Sequence, residues 1–344
     1  MKKGSYSPTA SPTLSDVARE AGVSAITVSR TIRSPEKVSK ASRLKVEAAI
    51  AKLGYAPDPA ASALASKTST TIGLLVPSLT NNVFADVVRG VYDGIEETRF
   101  FVQIGNFRYS ALKEQELLRV FLRQKPAGLI LSGFDQTQEA TRMLKNAPCP
   151  LVQIMDIGPQ PADMAIGFDH KEAARTATRH LLEQGYTKLG FLGARMDPRS
   201  QARYEGFKDV CKDAGKLDEK RIVTTLQPSS VSMGRQLFEA LLAKTPDVDA
   251  ILCNNDDLAI GVLTEAQRRN IQVPDDLGIC GFNDIDIARN MMPEITSVAT
   301  PRYDIGRRAI QMILDEIAEP GSVADRNQDV GFELVPRQST ARRR

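Results

Sequence analysis

The chain has 344 residues, with 45 Lys and Arg against 42 Asp and Glu, a formal charge of +3. That length suits two or three domains, and the composition is that of an ordinary globular protein. No apolar run approaches the roughly 18 residues that span a bilayer, so no membrane partner is expected. The opening MKKGSYSPTASPT has two lysines but no apolar stretch, which reads as a flexible tail and not as a secretory signal. Cys149, Cys211, Cys253 and Cys280 lack metal-ligand or CxxC spacing and are expected as free thiols in a reducing compartment. His170 and His180 are the only histidines, too few for a histidine-based metal site. The charge is segregated. Residues 1–68 carry 11 basic and 5 acidic side chains, while the remainder carries 34 and 37. A basic N-terminal module on a mildly acidic body fits a nucleic-acid reader.

The first predicted elements lie in TLSDVAREAGVSAITVSRTI, residues 13–32. Thr13 can cap a helix with Asp16 at its third position, a capping-box variant. Leu14, Val17, Ala18 and Ala21 recur at helical spacing. Gly22 breaks the run and Ser24 restarts it as an N-cap. Val28 and Ile32 then face back onto the first helix, leaving Ala25, Ile26, Ser29 and Arg30 outward. This is the helix-turn-helix layout, whose second helix enters the DNA major groove; an ordinary helical hairpin has the same local pattern. A third helix is expected over Ser42–Leu53, ending at Gly54. Pro57 and Pro59 follow, then AASALASK.

From Thr71 strands and helices alternate. TIGLLVP, FFVQIGN, AGLILSG and PLVQIM read as buried strands, with helices near 82–98, 111–124 and 137–146 between them. A second series has strands MAIGF, KLGFLG, RIVTTL, DAILCN and LGICGF and helices near 170–184, 199–214, 231–244 and 256–269. Such alternation builds parallel sheets covered on both faces. Two series suggest two doubly wound lobes, with a ligand at the carboxyl ends of the strands. No catalytic set is visible: two isolated histidines fit no Ser-His-Asp order, no P-loop occurs, and no GxGxxG follows a strand. An enzyme is not expected.

TLSDVAREAGVS, TVSR, VSKASRLKVEAAIAKLGY and ALASKTSTTIGLLVP resemble the DNA-binding headpiece and hinge of the lac-repressor (LacI/GalR) family, and the resemblance runs through nearly the whole chain. It implies an all-α helix-turn-helix headpiece over 1–57 and a hinge over 58–69. An α/β periplasmic-binding-protein-like core of two doubly wound parallel-sheet lobes follows over 70–336. The N-lobe would take 70–168 plus 300–330, and the C-lobe 169–299 plus 331–340. The chain would cross between lobes near Gly167–His170, Ser297–Pro301 and residue 330, giving helix 303–318 to the N-lobe. The implied partners are a palindromic double-stranded operator and a second copy of the chain, in the cytoplasm.

By motif position, Thr13, Ser24, Thr27 and Ser29 are candidates for phosphate contact. Ala25, Ile26 and Arg30 occupy base-facing positions, and Arg30 could donate two hydrogen bonds to guanine. The hinge would fold on the operator, with Leu64 wedged into the minor groove and Lys67 on a phosphate. Pro59 departs from the polar or basic residue usual there.

For the effector, the resemblance implies Ser78, Asn81, Phe84, Asp156, Arg203, Asn255, Asp256 and Asn283. Val83 would join an apolar wall, and Arg195 or Arg199 could assist Arg203. Phe84 could equally be core, and Asp256 could instead cap the helix after its strand. PSLTNNVFADVVRG, AIGFDHKEAAR, LGARMD and NNDDLAIG resemble the gluconate-utilisation subgroup. That implies a sugar-acid effector and no cofactor or metal: gluconate first, 2-ketogluconate next, 6-phosphogluconate third. The expected protein is a repressor released from its operator by that acid. Two alternatives stand beside it. One is a regulator of another sugar, or one whose ligand strengthens DNA binding. The other is a solute-binding protein, against which the headpiece and the missing signal argue.

Overall fold

The computed structural model describes residues 12–56, 69–158 and 160–342. The chain divides into two compact units at Ser69/Thr70. The first is helical. Helix α1 (Leu14–Ala21) is capped by Thr13 through a reciprocal box. The Thr13 hydroxyl accepts from the Asp16 N–H, and the Asp16 carboxylate accepts from the Thr13 N–H at 2.9 Å. It stops at Gly22, whose φ of 66° is the left-handed C-cap conformation that favours glycine. Helix α2 (Ala25–Arg33) starts at Ser24, which accepts from the Thr27 N–H. Helix α3 spans Lys40–Leu53 and starts ahead of the expected Ser42, because Ser39 serves as its N-cap and accepts from the Ser42 N–H. Val17, Ala18, Ala21, Val28, Val46 and Ala49 close a small core among the three.

The second unit carries two sheets. The first has the order β11-β5-β4-β3-β1-β2, all parallel, from β1 (Thr71–Val76), β2 (Phe101–Asn106), β3 (Gly128–Ser132), β4 (Leu151–Ile154), β5 (Met164–Gly167) and β11 (Asn327–Asp329). The second has the order β12-β10-β9-β8-β6-β7, from β6 (Leu189–Ala194), β7 (Ile222–Thr225), β8 (Ala250–Cys253), β9 (Gly278–Asn283), β10 (Thr296–Ala299) and β12 (Glu333–Val335). Strand β12 runs antiparallel to β10, so this sheet is not wholly parallel. MAIGF, read above with the second series, is β5 and pairs with β4 in the first sheet. Periodicity marks a strand but not its partner, so it could not assign this one.

The helices of this unit are α4 (Asn82–Ile95), α5 (Ala111–Arg123), α6 (Gln138–Lys145), α7 (His170–Glu183), α8 (Pro198–Asp213), α9 (Val231–Lys244), α10 (Asp256–Arg268), α11 (Asp286–Arg289) and α12 (Arg302–Ala318). Helix α12 leaves the second sheet after β10 and packs on α4 and on strands β3, β4 and β5 of the first. The α4–α12 crossing is close enough to need glycine: a Cβ at Gly90 would strike the Tyr303 carbonyl, and one at Gly306 the Val87 carbonyl. The chain passes between sheets after β5, after β10 and between β11 and β12. These three strands of chain connect two lobes, and the carboxyl ends of both sheets' central strands face one cleft, as open α/β sheets place their ligands. No described helix is long and apolar enough to cross a membrane.

Candidate functional site

In the helical unit, α2 presents Ala25, Ile26 and Arg30 to solvent, with Ile26 66% exposed. Ser29 is half-buried and less outward than its spacing suggests. The hydroxyls of Ser24 and Thr27 lie 2.9 Å apart, and Thr13 is spent on its capping box. These hydroxyls therefore sit pre-positioned at helix N-termini, where N–H groups gather positive potential. Leu64 and Lys67 lie outside the described residues.

Between the lobes of the second unit a cavity of about 70 Å³ is lined by polar groups and two apolar walls. Asn81, Phe84, Arg203, Asn255, Asp256 and Asn283 line it, with Val83, Tyr109, Met155, His170, Arg195, Asp197 and Arg199. Phe84 is both wall and core, since it is 4% exposed and packs in the main cluster. Two expected residues do not line the cavity. The Ser78 hydroxyl is turned into its own loop, accepting from the N–H groups of Thr80 and Asn81 at 3.2 and 3.1 Å. Asp156 accepts from the adjacent Ile157 N–H at 2.8 Å, and burial, partly opposed by Arg199, raises its pKa to about 6.

Three lining side chains are engaged by the fold. Asn81 caps α4 and donates to the Tyr109 hydroxyl at 3.1 Å. Asn255 caps α10 and accepts from Ser229. Asp256 is therefore not the cap. It is the first residue of α10, and its carboxylate accepts from Ser297 at 2.7 Å and from the Ile285 N–H at 2.8 Å. Burial nevertheless raises its pKa to about 7.

Helix α8 places Arg199 and Arg203 four residues apart on one face of its N-terminal half. Arg199 pairs with Asp197 at 3.2 Å and reaches across the cleft to the Ser132 hydroxyl at 2.8 Å. Burial opposes the Asp197 charge, but Arg199, the Ser200 N–H and Arg203 hold its pKa at about 2. Arg203 is only 8% exposed. Its partners among the described residues are all uncharged: the Asn254 carbonyl at 2.5 Å, His170 Nδ1 at 3.1–3.2 Å, and the Phe282 ring 3.7 Å away. Burial pulls its pKa down to about 10.

His170, the first residue of α7, is a member that sequence reading missed, as are Tyr109 and Asp197. Its Nε2 lies 2.8 Å from the Met155 carbonyl, which can only accept. Nε2 therefore carries the hydrogen, and Nδ1 is left as the acceptor for Arg203. Burial and the Arg203 charge hold its pKa well below 6.5, so the ring stays neutral. A histidine directly after a strand end was the visible signal, but nothing in its spacing tied it to Arg203.

One polar atom is left over. Asn283 Oδ1 is buried in this cleft with no hydrogen-bond partner. Asn283 also holds a φ of 99°, a left-handed conformation that a non-glycine residue adopts at a cost.

Residues 13–58 match the model of bacterial regulatory proteins of the lacI family, and residues 178–340 match a periplasmic binding protein-like domain. The HTH-type transcriptional regulator GntR of Pseudomonas aeruginosa is 41% identical over 332 residues, covering 96% of each chain. The chain belongs to the lac-repressor family. The regulator of the same name from Escherichia coli is 39% identical, covering 94% of this chain and 97% of that one. A LacI-family transcriptional regulator from Silicibacter pomeroyi superimposes with a TM-score of 0.91 at 32% identity, covering 96% of this chain and all of that structure. This LacI-family member is accordingly a DNA-binding transcriptional regulator and not an enzyme.

Proposed function

We propose that the protein is a homodimeric repressor of sugar-acid catabolism genes, released from a palindromic operator when gluconate or 2-ketogluconate binds between its lobes. The observation that carries the effector class is the pairing of a buried guanidinium that hydrogen-bonds no carboxylate with a buried, unpartnered amide oxygen. A charge taken out of water is expensive, and Arg203 hydrogen-bonds only neutral groups, with the Asp197 carboxylate acting on it from beyond hydrogen-bond reach. An orphaned acceptor likewise costs on the order of 1–3 kcal/mol. A ligand with a carboxylate for Arg203 and a hydroxyl for Asn283 relieves both, and a polyhydroxy acid has both. Arg199, although paired with Asp197, keeps further N–H groups for the same anion.

In this reading Thr13, Ser24, Thr27 and Ser29 meet phosphates. Ala25 and Ile26 meet base edges through apolar contact and Arg30 through hydrogen bonds. Leu64 and Lys67 act in the hinge, and the protein works in the cytoplasm. The dimer is supported by the free edges of both sheets. Phe101 on edge strand β2 is 70% exposed, Leu112 and Val120 of α5 are exposed as well, and Leu226, just after edge strand β7, is 82% exposed. Apolar side chains on an unpaired strand edge call for a covering partner.

Calorimetry with gluconate, 2-ketogluconate, 6-phosphogluconate and glucose tests the effector. One acid is expected to bind at micromolar concentration, with glucose weaker by about ten- to hundredfold, the worth of a charged hydrogen bond. Arg203→Ala is expected to abolish that binding while operator affinity persists. Equal binding of glucose and the acids would overturn the sugar-acid class. Gluconate tightening operator binding would overturn release.

A further inference from the structure

We propose that Tyr109 and Arg195 form a clasp across the mouth of the cleft, one residue from each lobe, which must part before an effector enters or leaves. The clasp rests on the cleft being the effector site, and it adds a regulator of exchange to that reading.

The Arg195 guanidinium lies 3.7 Å from the centre of the Tyr109 ring, the face-on geometry of a cation–π pair. Tyr109 follows β2 of the first lobe and Arg195 follows β6 of the second, and both line the cavity. Both are half-buried, whereas Met155, His170 and Arg203 below them are buried. That ordering, shared by Asn81, Val83, Asp197 and Asn255, puts the pair nearer the opening than Met155, His170 and Arg203. The Tyr109 hydroxyl is pinned by Asn81 at 3.1 Å, so the ring has a fixed seat in its own lobe.

The backbone supports the assignment. Arg108 and Tyr109 have φ of 53° and 57°, and Arg195 and Met196 have 66° and 40°. Two consecutive non-glycine residues in the left-handed region are unfavourable, and here two such pairs face each other across one opening. Each strained turn delivers one half of the stacked pair. Arg195 has its backbone fixed as well, its N–H donating to the Gln227 carbonyl at 2.9 Å. Neither Tyr109 nor Arg195 is needed for the floor contacts of Arg203, so the clasp governs passage and not the anchoring of an anion.

Two measurements test it on the full-length protein. The first needs no ligand: hydrogen–deuterium exchange of segments 106–110 and 194–197 in wild type, Arg195→Gln and Arg195→Lys. Arg195→Gln is expected to speed exchange at 106–110, in the opposite lobe, and Arg195→Lys to restore part of the protection. Unchanged exchange there would overturn the clasp. The second is stopped-flow release of gluconate. Tyr109→Ala and Arg195→Gln are expected to release it about five- to tenfold faster. The double variant should be no faster than either single one, because both remove the same contact. Unchanged release in both single variants would overturn the gating role. Failure of wild type to bind gluconate would overturn the sugar-acid reading instead, leaving the exchange measurement to decide the clasp.

Discussion

The chemistry of the cleft turns on how many hydrogen-bond positions each side chain has already spent. Arg203 has given three N–H contacts to neutral acceptors, and no carboxylate hydrogen-bonds its charge. His170 is the reason that arrangement works, because a neutral ring with a free Nδ1 can accept from a guanidinium where an imidazolium would repel it. A pH dependence follows from this. The folded-state pKa of His170 lies well below its ordinary 6.5, so the unfolded chain takes up a proton that the folded one refuses. Its contribution to stability is full above 6.5 and is lost as pH falls from there toward the folded value, by at most about 1.4 kcal/mol per pH unit. His170→Asn keeps an acceptor near Arg203 and removes the titration. Its melting temperature should decline less between pH 7 and 5 than that of wild type. An identical decline would show that other groups carry the acid sensitivity.

Element ends, more than element middles, place the functional groups. The caps Thr13 and Ser24 were read from spacing as short polar residues before helical runs, and the structure adds Asn81, Asp197 and Asn255 as caps of α4, α8 and α10. That same legibility misleads about Ser78, which satisfies its own turn, and about Asp256, which braces α10 against β10 through Ser297. A polar residue after a strand can serve backbone or ligand, and local sequence does not say which. On α2, Arg30 projects from the face opposite Val28, which is fully buried. Arg30→Ala should weaken binding to a site selected from random DNA by about 1–3 kcal/mol and relax preference at one base pair. A loss that is uniform across sequences, with a shallower salt dependence, would make Arg30 a phosphate contact instead.

The whole molecule is built as two compact units, a helical one and a two-lobed one. If the free β2 edge is a dimer face, Phe101→Lys should shift sedimentation from dimer to monomer and reduce operator affinity while leaving effector binding intact; a persistent dimer would place the interface elsewhere. Helix periodicity, caps and charge segregation determined the helix-turn-helix unit, and strand–helix alternation determined the α/β class, because these are short-range consequences of backbone geometry and of burying one face. Strand partnership was beyond that reach. MAIGF joins the first sheet through β4, and Glu333–Val335 runs antiparallel at the edge of the second, because pairing is set by contacts between residues far apart in sequence. The cleft is of the same kind. His170 meets Arg203 across 33 residues, Ser132 meets Arg199 across 67, and Tyr109 meets Arg195 across the mouth. Sequence supplied the residue types, and only the folding of three crossing segments between two sheets decided which of them face each other and which one is left without a partner.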